Sequence, residues 1–193
     1  MNVTINRTQI HPNQTLIWTV GAGGLLGSAL QRAFNSDSSI EAFPASAIDW
    51  TDPDRAQETF LADAPLFAEL AGGRPWVVIW AAGHASTSTP QGEAFKELDA
   101  LQLLVNAVKQ YPPSGTGTFF VTSSAGGIYA GSENPPFTSD SFPHPLSPYG
   151  ELKLRQEELV SQQLGERTRV IIGRLSNLYG PGQNLGKLQG LIS

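Results

Sequence analysis

Residues 16–27 read Leu-Ile-Trp-Thr-Val-Gly-Ala-Gly-Gly-Leu-Leu-Gly, and this stretch decides the fold. A continuous apolar run that ends in turn residues reads as a strand buried on both faces. Leu26, Leu30 and Phe34 then recur at helical spacing. Strand, glycine turn and helix together form the arrangement that receives a diphosphate. Glycine lets the backbone come close to the ligand, and the helix start offers free N–H groups and the positive end of a dipole. The spacing is Gly21-x-x-Gly24-x-x-Gly27 with Gly23 added, not the usual Gly-x-Gly-x-x-Gly. Taken alone, such a turn serves equally well to pack a helix tightly on a strand.

Working outward, the same alternation repeats. Residues 40–43 form a weak second strand. Asp52-Pro53-Asp54 starts a helix that runs towards Leu70, with Pro65 as its expected interruption, and Gly72-Gly73 ends it. Residues 76–81, Trp-Val-Val-Ile-Trp-Ala, form a strong buried strand. Residues 92–110 carry Phe95, Leu98, Leu101, Leu104, Val105 and Val108 on one face of a single helix. A strand over 118–122, a Pro- and Ser-rich loop over 132–148, a helix over 148–163 and a strand over 169–174 complete the pass. The fold class is therefore α/β, a Rossmann-type doubly wound parallel sheet. The expected organisation is a polar, flexible arm over 1–14 and one dinucleotide-binding domain over 15–193. Residues 186–193 read as a loop entering another helix. The expectation is a domain cut short at its C-terminus, with the substrate lobe missing.

Apolar residues make up 40% of the 193-residue chain and charged residues 15%, enough apolar content for a real core. The net charge of −5 argues against a nucleic-acid partner, which needs a basic face. With no cysteine, thiolate metal sites, iron–sulfur clusters and a cysteine nucleophile are excluded. No metal site is expected. No basic start followed by a long apolar run is present, so no membrane partner is expected and the cytoplasm is the default location.

Tyr149 and Lys153 stand one helical turn apart on one helix face. A free phenol has a pKa near 10 and is a poor base at neutral pH. An ammonium beside it favours the phenolate, and the expectation is that Lys153 lowers the Tyr149 pKa. Tyr149 can then exchange a proton with a substrate hydroxyl while a nicotinamide carries the hydride. Ser124 follows a buried strand, at the sheet edge where open parallel sheets place functional groups, and its hydroxyl can hold the substrate oxygen. Ser123 reads as a strand-end cap. At the end of the second strand neither an acid nor an arginine sits cleanly in place, and Glu41 lies inside the strand. The choice between NAD and NADP stays open on this ground.

Five motifs together resemble the extended short-chain dehydrogenase/reductases, in particular the nucleotide-sugar epimerase/dehydratase branch. They are Gly21-Ala-Gly-Gly-Leu-Leu-Gly27, Val78-Ile-Trp-Ala-Ala-Gly83, Ser123-Ser-Ala-Gly-Gly-Ile-Tyr129, Ser147-Pro-Tyr-Gly-Glu-Leu-Lys153 and Arg174-Leu-Ser-Asn-Leu-Tyr-Gly-Pro-Gly-Gln183. The resemblance implies that Tyr149 is the acid/base, that Lys153 binds the nicotinamide ribose, and that Ser124 holds the reacting oxygen. It implies that Gly21, Gly24, Leu25, Leu26 and Gly27 line the pyrophosphate, that Asp49 and Trp50 contact the adenine, and that Ala81, Ala82 and Gly83 pass along the cofactor. Asn177 would touch a nucleotide-sugar substrate, and Arg174 reads as half of a structural ion pair. Ala125 and Gly126 stand where dehydratases of the branch carry Asp-Glu, so epimerase or reductase is implied over 4,6-dehydratase. The resemblance favours NAD, with NADP as the alternative, and implies a homodimer through helices that include the one bearing Tyr149. The rival is a dinucleotide-sensing module on the same fold that does no chemistry.

Overall fold

The computed structural model describes residues 13–166 and 168–183. Most of the expected N-terminal arm and the expected helix over 186–193 lie outside these residues. Gln14, at the arm's end, donates from its Nε2 to the Ser38 carbonyl at 2.8 Å.

In chain order the elements are β1 (Thr15–Val20), α1 (Leu25–Phe34), β2 (Ile40–Ala42), α2 (Pro53–Ala71), β3 (Trp76–Trp80), α3 (Gln91–Ala94), α4 (Lys96–Gln110), β4 (Gly117–Ser124), α5 (Ala125–Ile128), α6 (Pro148–Leu164) and β5 (Arg169–Leu175). The five strands form one parallel sheet in the order β2-β1-β3-β4-β5. The chain moves one way from β1 to β2 and the other way from β3 onward. With right-handed crossovers, that reversal puts α1 on one face of the sheet and α2, α4 and α6 on the other. It also opens a crevice at the carboxyl ends of β1 and β3, the place where such sheets bind ligands.

The core lies between the sheet and α2, α4 and α6. Trp18 of β1 meets Phe43, Phe60 and Phe67 at centroid distances of 5.4, 6.4 and 5.3 Å, and Phe67 meets Trp76 at 6.0 Å. This aromatic cluster explains one departure from expectation: Pro65 does not interrupt α2. An internal proline costs a helix about 3 kcal/mol. Phe60, Ala64 and Phe67 are each nearly inaccessible on the sheet side, and each buried aromatic contributes about 2–3 kcal/mol. Packing therefore outweighs the lost hydrogen bond. Asp52 caps the same helix by accepting from the N–H groups of Asp54 and Arg55, and Gly72 ends it at φ +53°.

Two further elements differ from expectation. The helix expected over 92–110 is broken at Phe95 into α3 and α4, where the Leu98 N–H closes a tighter bond to the Phe95 carbonyl. β4 runs on to Ser124, pairing Ser123 with Arg174 and Ser124 with Leu175, and leads directly into the short α5. No apolar periodicity announces a four-residue helix, which is why α5 is not visible in the sequence.

Candidate active site

The glycine turn joins β1 to α1 at the crevice. Gly21 takes φ +90°, and a Cβ there would lie 2.6 Å from the backbone of Ala82. A Cβ on Gly27 would lie 2.2 Å from the Gly21 carbonyl oxygen, so α1 can sit this close to the turn only with hydrogen at that position. Gly24 is the N-cap of α1. It brings no side-chain cap, and the first turn carries no acid. The N–H groups of that turn therefore face the crevice with their partial positive charge uncancelled. A diphosphate fits this cradle in both shape and sign.

Two cavities adjoin along the crevice. The outer one, about 470 Å³, is lined by Gly21, Gly24, Trp50, Trp80 and residues 81–83, among others. The inner one, about 240 Å³, is lined by Gly24, Leu25, Leu26, Ala81, Ala82, Gly83, Ser124, Tyr149 and Lys153, together with Glu97 and Leu175. Gly24, residues 81–83 and Glu97 line both, so the two form one groove. The structure thus gathers the glycine turn, the third-strand residues and the Ser/Tyr/Lys set around one space. Gly27 lies behind the groove, where it allows close packing. Asp49 stands outside it, its carboxylate held by the Thr51 N–H at 3.0 Å and the Thr51 hydroxyl at 2.6 Å. Those bonds pull the Asp49 carboxyl below its ordinary pKa. Asn177 is exposed just past β5 and does not line the groove, although its neighbours Ser176 and Leu178 do. A larger hollow of about 860 Å³, lined by Tyr129, Phe137 and Arg174 among others, contains none of the Ser/Tyr/Lys set.

Local packing sets Tyr149 beside Ser124. Ser124 caps α5 by accepting from the Gly127 N–H at 3.1 Å. Ser147 caps α6 in the same way, with Pro148 in the first turn. A Cβ on Gly150 would meet the Gly127 carbonyl at 2.3 Å, and one on Gly127 would meet the Tyr149 ring at 3.0 Å. Two small residues thus let α6 press its first turn onto α5, and the phenol comes to the serine hydroxyl. Neither Gly127 nor Gly150 stands out in the sequence, although both lie inside the quoted motifs.

The electrostatics correct one expectation. The Tyr149 phenol stands above its ordinary pKa, chiefly because it is buried. A hydrogen bond with Ser124 opposes the rise, and the charge of Glu97 adds to it. Lys153 does not pull the phenol down. Its ammonium lies over the ring, 5.6 Å from the centroid, and donates to Gln156 Oε1 at 2.9 Å and to the Thr122 carbonyl at 3.5 Å. Lys153 is itself 5% exposed. Burial lowers its pKa, against the opposing charges of Glu97 and Glu157.

A buried ammonium with two neutral acceptors is held at the expense of stability. Lys153→Met is therefore expected to be as stable as the parent or more stable, by up to about 2 kcal/mol, in denaturant melts. The sign with pH follows from the lowered pKa. In the window between the folded and unfolded values the unfolded chain binds more protons, so the parent gains stability as pH rises. The advantage of the variant is then largest at neutral pH and shrinks as pH approaches the ordinary lysine value. A clear loss of stability at neutral pH would show the ammonium to be structural.

Beneath the site runs a second network. Ser123 donates to Glu157 at 2.5 Å, not to the strand end as expected. Glu157 pairs with Arg174 at 2.8 Å, and Arg174 reaches the Tyr129 hydroxyl at 2.5 Å. Tyr129 in turn donates to the Thr138 carbonyl at 2.7 Å. The structural role read for Arg174 holds. Glu41 is turned away from the crevice and pairs with buried Arg74 at 2.7 Å, so it is not available to a ribose.

Residues 15–188 match the family model described as the RmlD substrate binding domain. The chain belongs to this family. It thereby falls among the extended short-chain dehydrogenase/reductases. The structure of RMD from Pseudomonas aeruginosa complexed with NADPH is similar at 27% identity and a TM-score of 0.70, over 93% of this chain and 58% of that one. A UDP-glucose 4-epimerase from Thermotoga maritima, solved with UDP-glucose, shares the fold at 22% identity and a TM-score of 0.60, over 89% of this chain and 58% of that one. Methionine adenosyltransferase 2 subunit beta of Xenopus laevis is 29% identical over 175 residues, which are 86% of this chain and 48% of that protein. The chain thus spans about half the length of the relatives it matches.

Proposed function

We propose that this RmlD-family chain forms the nucleotide-binding and proton-handling part of an NAD(P)-dependent oxidoreductase acting on a nucleotide sugar. One observation carries this reading. The inner cavity is lined at once by the start of α1 and by Ser124, Tyr149 and Lys153. A nicotinamide dinucleotide would lie with its diphosphate on the glycine turn and its adenine end in the outer cavity by Trp50, and when bound it supplies or takes the hydride. The remaining work falls to the protein. Ser124 holds the reacting oxygen, Tyr149 gives or takes the proton at that oxygen, and Lys153 anchors a ribose and keeps positive charge beside the phenol. A phenol held protonated at neutral pH is ready to act as an acid, which is what reduction of a ketone requires. Reductases and epimerases share this half-reaction. The P. aeruginosa relative solved with NADPH makes NADP as acceptable a partner as NAD. Both acids near β2 are engaged: Glu41 pairs with Arg74, and the Asp63 carboxylate accepts from the Ser46 N–H and hydroxyl at 2.8 Å each.

The test is a titration of the chain with NAD(H) and NADP(H). Trp50, 45% exposed, and Trp80 meet edge to face at 6.1 Å and both line the outer cavity. Their fluorescence is expected to fall on binding, with the two cofactors within about tenfold of each other in affinity. Oxidation of the reduced cofactor is then followed with keto-sugar nucleotides. Absence of any dinucleotide binding would sink the proposal.

A second reading has one observation in its favour. The Xenopus relative is named as a subunit of a methionine adenosyltransferase, not as an oxidoreductase. A dinucleotide-binding regulatory module would bind the cofactor without turning it over.

A further inference from the structure

Among the described residues Glu97 is the acid that lines both cavities of the groove, whereas exposed Glu93 lines only the outer one, and no role for Glu97 is legible in the sequence. It sits in the first turn of α4 and lines both cavities. One carboxylate oxygen is fully engaged. Oε1 accepts from the His84 N–H and, at 2.6 Å, from the Ala85 N–H, and so fixes the loop after β3. The other oxygen, Oε2, is buried without a hydrogen-bond partner. It lies against Gly83, where a Cβ would come within 2.9 Å of it, a position open to glycine at φ +152°. A loop anchor needs only the first oxygen. A buried charged oxygen without a partner costs on the order of 1–3 kcal/mol and calls for an explanation.

The groove supplies one. Among the described residues, the charges that line its inner cavity are the Lys153 ammonium and the Glu97 carboxylate, while Glu93 and Lys96 line only the outer cavity and are exposed. Glu157, below, is already paired with Arg174. Glu97 acts electrostatically on both Tyr149 and Lys153, which places its charge within range of whatever lies between them. A nicotinamide ring differs between its two states by one positive charge on the ring, present when oxidised and absent when reduced. We infer that Glu97 is a charge-selecting residue that stabilises the oxidised, cationic nicotinamide ring over the reduced one, offsetting Lys153. This inference rests on the cofactor reading proposed above. At several ångströms, and with the screening usual inside proteins, one charge is worth about tenfold in such a ratio.

The test measures dissociation constants for NAD⁺, NADH, NADP⁺ and NADPH by tryptophan fluorescence, in the parent chain and in Glu97→Gln. Glutamine keeps an acceptor for the His84 and Ala85 N–H groups and removes only the charge. The expected result is that the oxidised-to-reduced ratio of dissociation constants rises about tenfold in Glu97→Gln. An anchoring role alone would weaken both forms equally and leave the ratio unchanged, and that outcome overturns the inference. Lys153→Met provides a second arm if Glu97→Gln does not fold. With that positive charge removed from beside the ring, the ratio is expected to fall by a similar factor, and an unchanged ratio counts against the inference here too. If the parent chain binds neither form, the cofactor reading fails and this inference fails with it. Binding of both forms with a fixed ratio leaves the cofactor reading intact and removes only the role of Glu97.

Discussion

Tyr149→Phe is expected to lower the rate of hydride transfer by about 10²–10⁴-fold while leaving dinucleotide affinity within about twofold. The substitution removes one oxygen and keeps the ring. The ring is what packs on Gly127 and lies under the Lys153 ammonium, so the groove should keep its shape. The lost group is the phenol hydroxyl that, in the function proposed above, passes a proton to a substrate oxygen held by Ser124. Ser124 cannot replace it, because an unactivated aliphatic hydroxyl is a far weaker acid than a phenol. A spectroscopic readout tests whether the raised ionisation belongs to Tyr149. In the parent, ultraviolet titration should show one tyrosine ionising above the ordinary value of 10.0, for burial is the largest influence on it. That late component should vanish in the variant. Its persistence would mean that another tyrosine carries the signal, and an unchanged turnover would remove Tyr149 from the mechanism.

The parts of this site that were legible in the sequence are those in which local chemistry and position agree. The apolar runs at 16–20 and 76–80 could only be buried strands, and between them they locate the crevice. Tyr149 and Lys153 share a face because helical spacing requires it, whatever the surroundings. What was not legible depends on contacts distant in sequence. Pro65 reads as a helix breaker until Trp18 of β1 and Phe43, just past β2, are seen packed on Phe67 of that helix. The direction of the Tyr149 shift is not legible in the sequence for the same reason. Spacing put an ammonium nearby, but only the fold shows that it donates to Gln156 and Thr122 and that burial dominates. Glu97 does not stand out in the sequence because an acid in the first turn of a helix has an ordinary explanation in the helix dipole. Its carboxylate instead crosses to the loop after β3, 12 and 13 residues away in sequence.

Gly27→Ala is expected to be the most damaging single-methyl addition in the nucleotide-binding turn, costing about 3 kcal/mol or more and abolishing dinucleotide binding. The new methyl would sit 2.2 Å from the Gly21 carbonyl oxygen and 2.7 Å from the Ala22 Cα. Both are backbone atoms of a turn whose own geometry is pinned. Gly21 is at φ +90° with Ala82 closing the space behind it, and the Gly24 N–H is bonded to the Gly21 carbonyl at 3.0 Å. The clash cannot be relieved by rotating a side chain, so α1 must move away from the sheet. That motion takes the N–H groups of its first turn off the diphosphate position, which couples the loss of stability to the loss of binding. Gly23→Ala is the matching control. Nothing lies within 4 Å of a Cβ built there, and the residue is exposed, so the variant should melt with the parent. Thermal melts of the pair, with dinucleotide titrations on each, decide the matter. Equal melting of the two variants would mean that the α1–turn contact has slack these distances do not show, and the turn would then lose its claim to be a rigid phosphate cradle.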